Sequence, residues 1–395
     1  MYRPHTVSTL IAQMPFETYH FTFLYARCTI INQSRNRDPA YTFRSVEIFM
    51  IHKSEHNPII KPSDVRPSHE GYKVLGAFNP GAVLFEDEII LLLRVAESCE
   101  DKNGYVCTPV YRFEDGRSYP DIMEFRRGDP EVSLKDTRGV QYRGRDYLST
   151  ISHIRLARSR DGIFFTVEEE PFIYPLEERE KYGCEDARVT FLEGRYYVNF
   201  TVISEDSWST MLAVTDDFKT VERKGIIFHP ENKDVAIFPE RINGMFHALH
   251  RPNNSGFGKA SIWYAESPDL FHWGNHRCIV RPRATKWESM KIGGGAPPIK
   301  TPEGWLVIYH GKGDNSCYSL FCLLLDLHEP WKVVRQAEKP LLVPTEIFET
   351  EGFFGSVVFS NGVVEKNGKV FVYYGAADES VGVAITDIDS LLQSF

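Results

Sequence analysis

From about Ile51 onward, apolar and polar positions change over in short runs with the period-2 rhythm of half-buried strands rather than a helical stripe. One pattern recurs five times: an apolar strand, a tight polar turn usually carrying glycine, and a second apolar or aromatic strand. The copies are Ala82–Leu93, Val189–Phe200, Phe238–Leu249, Pro298–Tyr309 and Val363–Tyr374. Each predicts a β-hairpin. A further strand follows each hairpin and ends in an A-x-[ST]-x-D turn. This is clear at Ala157–Asp161, Ala213–Asp217 and Ala265–Asp269, and degraded around Leu325–Glu329 and Ala384–Ile388. Two hairpin-like units per repeat make a four-stranded sheet, the blade of a propeller. The turn glycines Gly194, Gly244, Gly304 and Gly368 are spaced 50, 60 and 64 residues apart, a plausible blade length.

The predicted fold class is therefore all-β, a five-bladed β-propeller with a central channel. A parallel β-helix has much shorter repeats, and a pair of sandwiches gives no reason for five matched copies. The first blade is interrupted: its inner hairpin ends near Arg94 and its outer strands are expected to resume near Tyr147. The polar, charged stretch between, about residues 97–145, reads as an insertion over one face. Residues 50–395 are expected to form a single propeller domain. Met1–Phe49 lacks strand or helix periodicity and reads as an N-terminal extension outside that fold, or as a gene-model artefact with Met50 the start in relatives. An oligomerisation arm is the competing reading.

Composition narrows the function classes. Aromatic residues reach 13%, with 19 Tyr and 27 Phe, which suits packing on pleated sheets and also stacking against sugar rings. A net charge of −9 argues against a broadly basic nucleic-acid surface but leaves room for a local cationic pocket. No apolar run approaches the roughly 18 residues of a membrane span, and the first 25 residues carry no secretory signal pattern. Seven irregularly spaced cysteines with no C-x-x-C pair predict reduced thiols in a cytoplasmic protein rather than zinc or redox chemistry.

Residues flanking equivalent hairpins should converge on one mouth of the channel. Asn79 and Asp186 each lie three residues before their copy, and Arg94, His250 and His310 each directly follow one. Asp186, beside Glu185 and Arg188 at the entry to an apolar strand, is a candidate general acid. The competing view is a structural ion pair between one of these carboxylates and Arg188. Lys233, Arg251, Lys291 and His310 form a basic set at strand ends of adjacent blades. Their mutual repulsion makes sense if an anion fills the site. The Gly293–Gly295 run lacks the G-K-[ST] ending of a phosphate-binding loop, so close backbone approach or a turn explains it better.

These residues sit in a longer series of motifs. Among them are Phe78–Gly81 (FNPG), Leu93–Val95 (LRV), Thr137–Tyr142 (TRGVQY), Asp146–Leu156 (DYLSTISHIRL), Tyr182–Arg188, Asn232–Asp234 (NKD) and Phe238–Glu240 (FPE). The series continues through His250–Pro252 (HRP), Lys291–Gly295 (KIGGG), Gly304–Gly311, Val357–Gly362 (VVFSNG) and Tyr373–Asp378 (YYGAAD). Over roughly Asn57 to Ala384 the chain resembles glycoside hydrolase family 130, the β-mannoside phosphorylases. The resemblance implies Asp186 as the catalytic acid, working through a sugar-hydroxyl relay. It implies Lys233, Arg251, Lys291 and His310 as phosphate-binding residues, and Asn79, Arg94, Arg188 and Asp378 around the mannosyl group being transferred. The family motif reads E-D-P-R, whereas Ala187 stands here in place of proline.

The implied activity is reversible, inverting phosphorolysis of a β-mannoside to α-mannose 1-phosphate, with no cofactor or metal and with inorganic phosphate as co-substrate. The implied partners are the β-mannoside and phosphate, with no nucleic acid or membrane; a homo-oligomer is compatible with the sequence. The D-T-R-G-V-Q-Y and N-K-D segments lean toward β-1,2-mannobiose or oligomannan rather than β-1,4-linked mannosides. An inverting glycosidase needs a second carboxylate to activate water, whereas a phosphorylase needs cations around its nucleophile. Family β-mannosidases carry carboxylates where Arg251 and Lys291 stand, which favours phosphorolysis. A non-catalytic sugar-binding propeller is the third alternative.

Overall fold

The computed structural model describes residues 51–136, 139–205, 207–253, 257–314 and 316–395; the N-terminal extension lies outside the described residues. The described chain builds five antiparallel blades. The first consists of Tyr72–Phe85, Glu88–Cys99, Ile151–Ser159 and Thr166–Ile173, and the second of Gly183–Leu192, Arg195–Ser204, Ser207–Thr215 and Glu222–Phe228. The third runs Asn232–Ile237, Phe246–Pro252, Ile262–Ser267 and Gly274–Val280. In the fourth, the innermost strand is broken into Lys291–Gly294 and Ile299–Thr301, both pairing with Gly304–Lys312, and Tyr318–Leu325 and Val333–Gln336 follow. The fifth takes Val358–Lys366, Lys369–Ala376 and Ser380–Thr386 from the C-terminal end, and its outer strand, His52–Lys53, from the other end of the described chain. All five predicted hairpins are present, and the fold is the five-bladed propeller.

The period-2 pattern of each strand supplies an apolar layer to the blade beside it. Five buried clusters result, one between each pair of successive blades. Leu92 and Leu156 meet Val189 and Phe200, and Leu212 and Phe228 meet Ile237 and Phe246. Phe238 and Leu249 meet Val307 and Tyr309, Leu320 and Cys322 meet Val372 and Tyr374, and Phe371 and Tyr373 return to Leu91 and Leu93. Closing the ring in this way removes free sheet edges at its centre.

The A-x-[ST]-x-D turns have a single physical job. After the third strand, the aspartate carboxylate accepts two backbone N–H groups and folds the chain into the next segment. Asp161 accepts from Ile163 and Phe164, both at 2.9 Å, and Asp217 and Asp269 do the same in their blades. The two degraded copies keep the device: Asp326 accepts from His328 and Glu329, and Asp387 caps the short helix Ile388–Leu392 through Ser390 N–H at 2.7 Å. Such side-chain turns are what Asp offers a chain reversal.

The insertion is itself β-structure. Tyr105–Glu114 pairs with Arg117–Arg126, and Val132–Asp136, Gly139–Tyr142 and Arg145–Leu148 form a small separate sheet. Tyr147, expected to begin the outer strands of the first blade, belongs to this small sheet; the blade resumes at Ile151.

The last blade is fastened by a half-buried ion pair. Lys53 Nζ lies 2.5 Å from Glu349 Oε2 and also donates to the Val343 carbonyl and Thr345 Oγ1. Glu349 is fully buried and also accepts from the Tyr374 hydroxyl at 2.8 Å. Removing one partner of such a pair leaves a buried charge, so Lys53→Met should lower unfolding stability by about 3 kcal/mol in denaturant titrations. Adding Glu349→Gln should recover part of the loss. A single-mutant loss under about 0.5 kcal/mol, the level of an ordinary surface substitution, would show that this pair does not secure the ring.

Candidate active site

The innermost strands do more than line the channel. Register shifts interrupt them between Phe78 and Gly81, Glu185 and Arg188, and Lys233 and Ala236. At each interruption one residue takes a left-handed conformation: Asn79 (φ 47°), Asp186 (φ 49°) and Asp234 (φ 55°). Asn and Asp tolerate this region better than other side-chain-bearing residues, and a bulge re-aims the side chain it carries. Three blades thus present one amide and two carboxylates at equivalent places. Asp378, also left-handed at φ 53°, enters from the fifth blade.

These groups converge on a small cavity of about 180 Å³. Asn79, Arg94, Asp186, Lys233, Arg251, Lys291, His310 and Asp378 all line it, so eight of the nine site residues named from the sequence come together. Arg188 does not line it. Its guanidinium is buried behind the wall, donating to the carbonyls of Asp186, Gly294 and Gly295 and lying 3.4 Å from Asp234 Oδ1. These contacts brace the second blade against the third and fourth.

His250 also departs from expectation. It faces away from the cavity, stacks on Phe228 at 4.7 Å and contacts the Asn232 and His276 side chains, each at 3.0 Å. The third hairpin is two residues longer between Asp234 and Arg251 than the first is between Asn79 and Arg94. Arg251, opposite Lys233, therefore occupies the place that Arg94 holds opposite Phe78, and alternation turns His250 the other way.

One half of the cavity is acidic. Asp186 Oδ1 accepts from Asn79 Nδ2 at 3.0 Å and lies 3.4 Å from Arg94 Nη1, while Arg94 Nη2 holds Glu185 at 2.6 Å. Burial opposes ionisation of Asp186, but Arg94, Lys233, the Asn79 hydrogen bond and Arg188 together hold its pKa below the usual value. Asp378 goes the other way. Burial, reinforced by Asp186 and Glu185, pushes it up to about 6 against the pull of Arg94.

The other half is cationic. Among the described residues, Lys233 and Lys291 have no carboxylate within ion-pair distance; their ammonium groups lie 5.6 Å from the Trp208 ring and 5.2 Å from the Tyr318 ring. Burial and the neighbouring Arg251 push Lys291 down to about 8. Burial also takes His310 down to about 4 despite the nearby Asp234, so at neutral pH it is an uncharged member of the basic set.

Asp234 was not singled out from sequence. It lies 2.8 Å from Arg251 Nε, 3.3 Å from His310 Nε2 and 3.4 Å from Arg188 Nη2, and these charges hold it well below the carboxylate range even though burial opposes that. Its equivalence to Asn79 and Asp186 was the available signal, hidden by the longer hairpin. Gly293 is required here, since a Cβ would run into the Asp234 carboxylate and lie 2.7 Å from the His310 ring. Tyr318, Phe354, Val357 and Phe359 add an apolar wall. Among the described residues, none of the insertion lines the cavity. Among the described residues no group of three His, Cys, Asp or Glu could hold a metal ion.

Fold and site together define a propeller enzyme site that sets a carboxyl group against unpaired cations, suited to acid-assisted group transfer onto an anion. The chain belongs to glycoside hydrolase family 130: the family model, described as beta-1,4-mannooligosaccharide phosphorylase, matches residues 137–395. It is 43% identical over 347 residues to a beta-1,2-mannobiose phosphorylase of Listeria innocua, covering 87% of this chain and 97% of the relative. It is 39% identical over 248 residues to a 1,2-beta-oligomannan phosphorylase of a Thermoanaerobacter species, covering 62% of this chain and 82% of the relative. The solved structure of the Listeria innocua enzyme with beta-1,2-mannobiose superposes with a TM-score of 0.81 at 42% identity, covering 87% of this chain and 98% of that one.

The raised pKa of Asp378 has a consequence for stability. A carboxyl group displaced upward from 3.8 to about 6 contributes stability that is complete below about pH 4 and is lost as pH rises through 6. Asp378→Asn removes that loss. The Tm of the variant relative to wild type should therefore shift in the variant's favour between about pH 4 and about pH 7. A pH-independent difference would contradict the assignment.

Proposed function

We propose that the protein catalyses reversible, inverting phosphorolysis of β-1,2-linked mannobiose or short β-1,2-oligomannan, giving α-mannose 1-phosphate. The observation that carries this reading is the pairing, in one cavity, of Asp186 with Lys233, Arg251 and Lys291. Phosphate rests among the three cations. The anomeric carbon loses its bond to the glycosidic oxygen and gains one to a phosphate oxygen on the opposite face. Asp186 supplies the proton that the leaving oxygen takes up, through a hydroxyl of the transferred mannose. Asn79, Arg94 and Asp378 surround that mannose. Asp186 Oδ2 accepts no hydrogen bond from the described residues, leaving it for substrate. The β-1,2 preference follows the activities named for the two relatives above.

Hydrolysis would need a carboxylate able to take a proton from water. Asp234 is ion-paired with Arg251, His310 and Arg188, which deprives it of basicity. No cofactor is needed in this scheme. A cytoplasmic location fits six cysteines that are free thiols among the described residues. No helix of the described residues is long and apolar enough to cross a membrane.

Incubation with β-1,2-mannobiose should yield α-mannose 1-phosphate only when phosphate is present; equal turnover without phosphate would reject the proposal. Asp186→Asn should lose about 100-fold or more in kcat with its Tm preserved, and near-normal kcat would remove Asp186 as the acid. Lys291→Ala should raise KM for phosphate about 10- to 100-fold, as expected for a hydrogen bond to a charged ligand. A change confined to KM for the mannoside would place Lys291 in the sugar site.

A further inference from the structure

Resting on that reading, we propose that Lys312 is an entry cation of the phosphate site, drawing the incoming dianion through space from the rim toward the basic half of the cavity. Lys312 stands directly opposite Lys291 in one strand pair and directly opposite Tyr318 in the next. Directly opposed side chains leave a sheet on the same face, so the three form one row across the fourth blade. Lys291 and Tyr318 both line the cavity, and Lys312 stands between them without lining it. Its ammonium lies 5.4 Å from the Tyr318 ring and 5.2 Å from the ring of Phe354. Phe354 is a lining residue that is 41% exposed, which puts the charge of Lys312 at the rim.

Like charges directly opposite one another destabilise a sheet. Among the described residues neither lysine has a carboxylate within ion-pair distance, and each is held over an aromatic ring instead. Lys312 is one of the charges that lower the pKa of Lys291, so the two ammonium groups feel each other. An anion arriving beside them relieves that repulsion. The rest of the molecule explains why a charge at the rim is useful. The chain carries a net charge of −9, and Asp186, Glu185 and Asp378 make the other half of the cavity acidic. A dianion would therefore meet repulsion before it reached Lys233, Arg251 and Lys291. Positive charge gathered at the mouth of a low-dielectric cleft raises the rate at which anions enter it. The mannoside is neutral, so the effect is confined to phosphate and, in the reverse direction, to α-mannose 1-phosphate.

The test compares wild type with Lys312→Gln in the mannobiose assay at ionic strengths of about 20 mM and about 500 mM, where the screening length is roughly 20 Å and roughly 4 Å. At low salt the variant should lose about 3- to 10-fold in kcat/KM for phosphate, with kcat and the KM for mannobiose within about twofold of wild type. At high salt the difference should shrink to less than about twofold. Synthesis from α-mannose 1-phosphate should show the same pattern. Lys312→Met, which keeps an apolar stem over both rings, should behave like Lys312→Gln, and Lys312→Arg should restore the low-salt value. Unchanged kcat/KM for phosphate at low salt would overturn the proposal. So would a loss that salt leaves undiminished, which marks a direct ligand or a structural residue, or a loss confined to mannobiose, which places Lys312 against the leaving sugar. Absence of phosphate-dependent turnover in wild type would instead overturn the phosphorolysis reading.

Discussion

Three blades of this propeller are tied together through the Asp234 carboxylate. It takes Arg188 from the second blade, Arg251 from its own and His310 from the fourth, and is 2% exposed. Burying one carboxylate and two guanidinium groups carries a large desolvation penalty, offset only if each is paired and hydrogen-bonded. Arg188 meets that condition with three backbone carbonyls besides the carboxylate, two of them on Gly294 and Gly295 of the fourth blade. Gly293 is a consequence of the ion cluster, since the Asp234 carboxylate and His310 imidazole occupy the volume of a Cβ there, whereas at Gly295 the backbone carbonyls of Ile308 and Ser360 stand in that place.

From that anchor the division of the cavity follows. Asp234 neutralises part of the charge of Arg251 and fixes the imidazole of His310, while Lys233 and Lys291 are left without carboxylates among the described residues. The acidic half is built by the same backbone device one and two blades earlier, with Asn79 and Asp186 at bulges of matching handedness. The same element thus supplies an amide, an acid and an electrostatic anchor. The identity of the side chain at each bulge, and not a difference in blade geometry, assigns the role.

Much of this was legible in the sequence, because hairpins and blades are set by local alternation and turn chemistry. The five hairpins, and Asn79, Arg94, Asp186 and His310 among the cavity-lining residues, came from positions that repeat; Lys233, Arg251 and Lys291 came from charge at strand ends, and Asp378 from the family resemblance alone. Failures occurred where spacing or burial breaks the repeat. Two extra residues in the third hairpin moved the apparent equivalence from Arg251 to His250 and concealed Asp234. Arg188 looked like a ligand residue because a motif cannot tell a guanidinium pointing into a cavity from one buried behind its wall. The degraded fourth and fifth turns were under-read for the opposite reason. Asp326 keeps the carboxylate although Cys322 and Leu324 replace the small residues, and in the last copy Ala384 and Thr386 remain while the carboxylate, Asp387, stands one position earlier. The protonation state of His310 is likewise a property of packing: the residue reads as a potential cation, and only its burial beside Arg251 and Arg188 makes it neutral.

On the proposed role of Asp186 as the acid, its carboxyl group stands in the wrong state for proton donation, since Arg94 and Lys233 hold its pKa below the usual value. This is consistent with a phosphorolytic cycle. A dianion placed beside Lys233 cancels part of the positive field that stabilises the carboxylate, so arrival of the nucleophile raises the proton affinity of Asp186. In the proposed complex, mannose filling the space between Asp186, Arg94 and Asp378 would exclude water and strengthen every remaining interaction there. The proton given to the leaving sugar is restored when the phosphate that carried one into the site becomes a monoester and releases it. Without phosphate, Asp186 remains a carboxylate and the glycosidic oxygen finds no donor. The same cations that hold the nucleophile thereby restrain the acid until the nucleophile is present, and water alone cannot release that restraint.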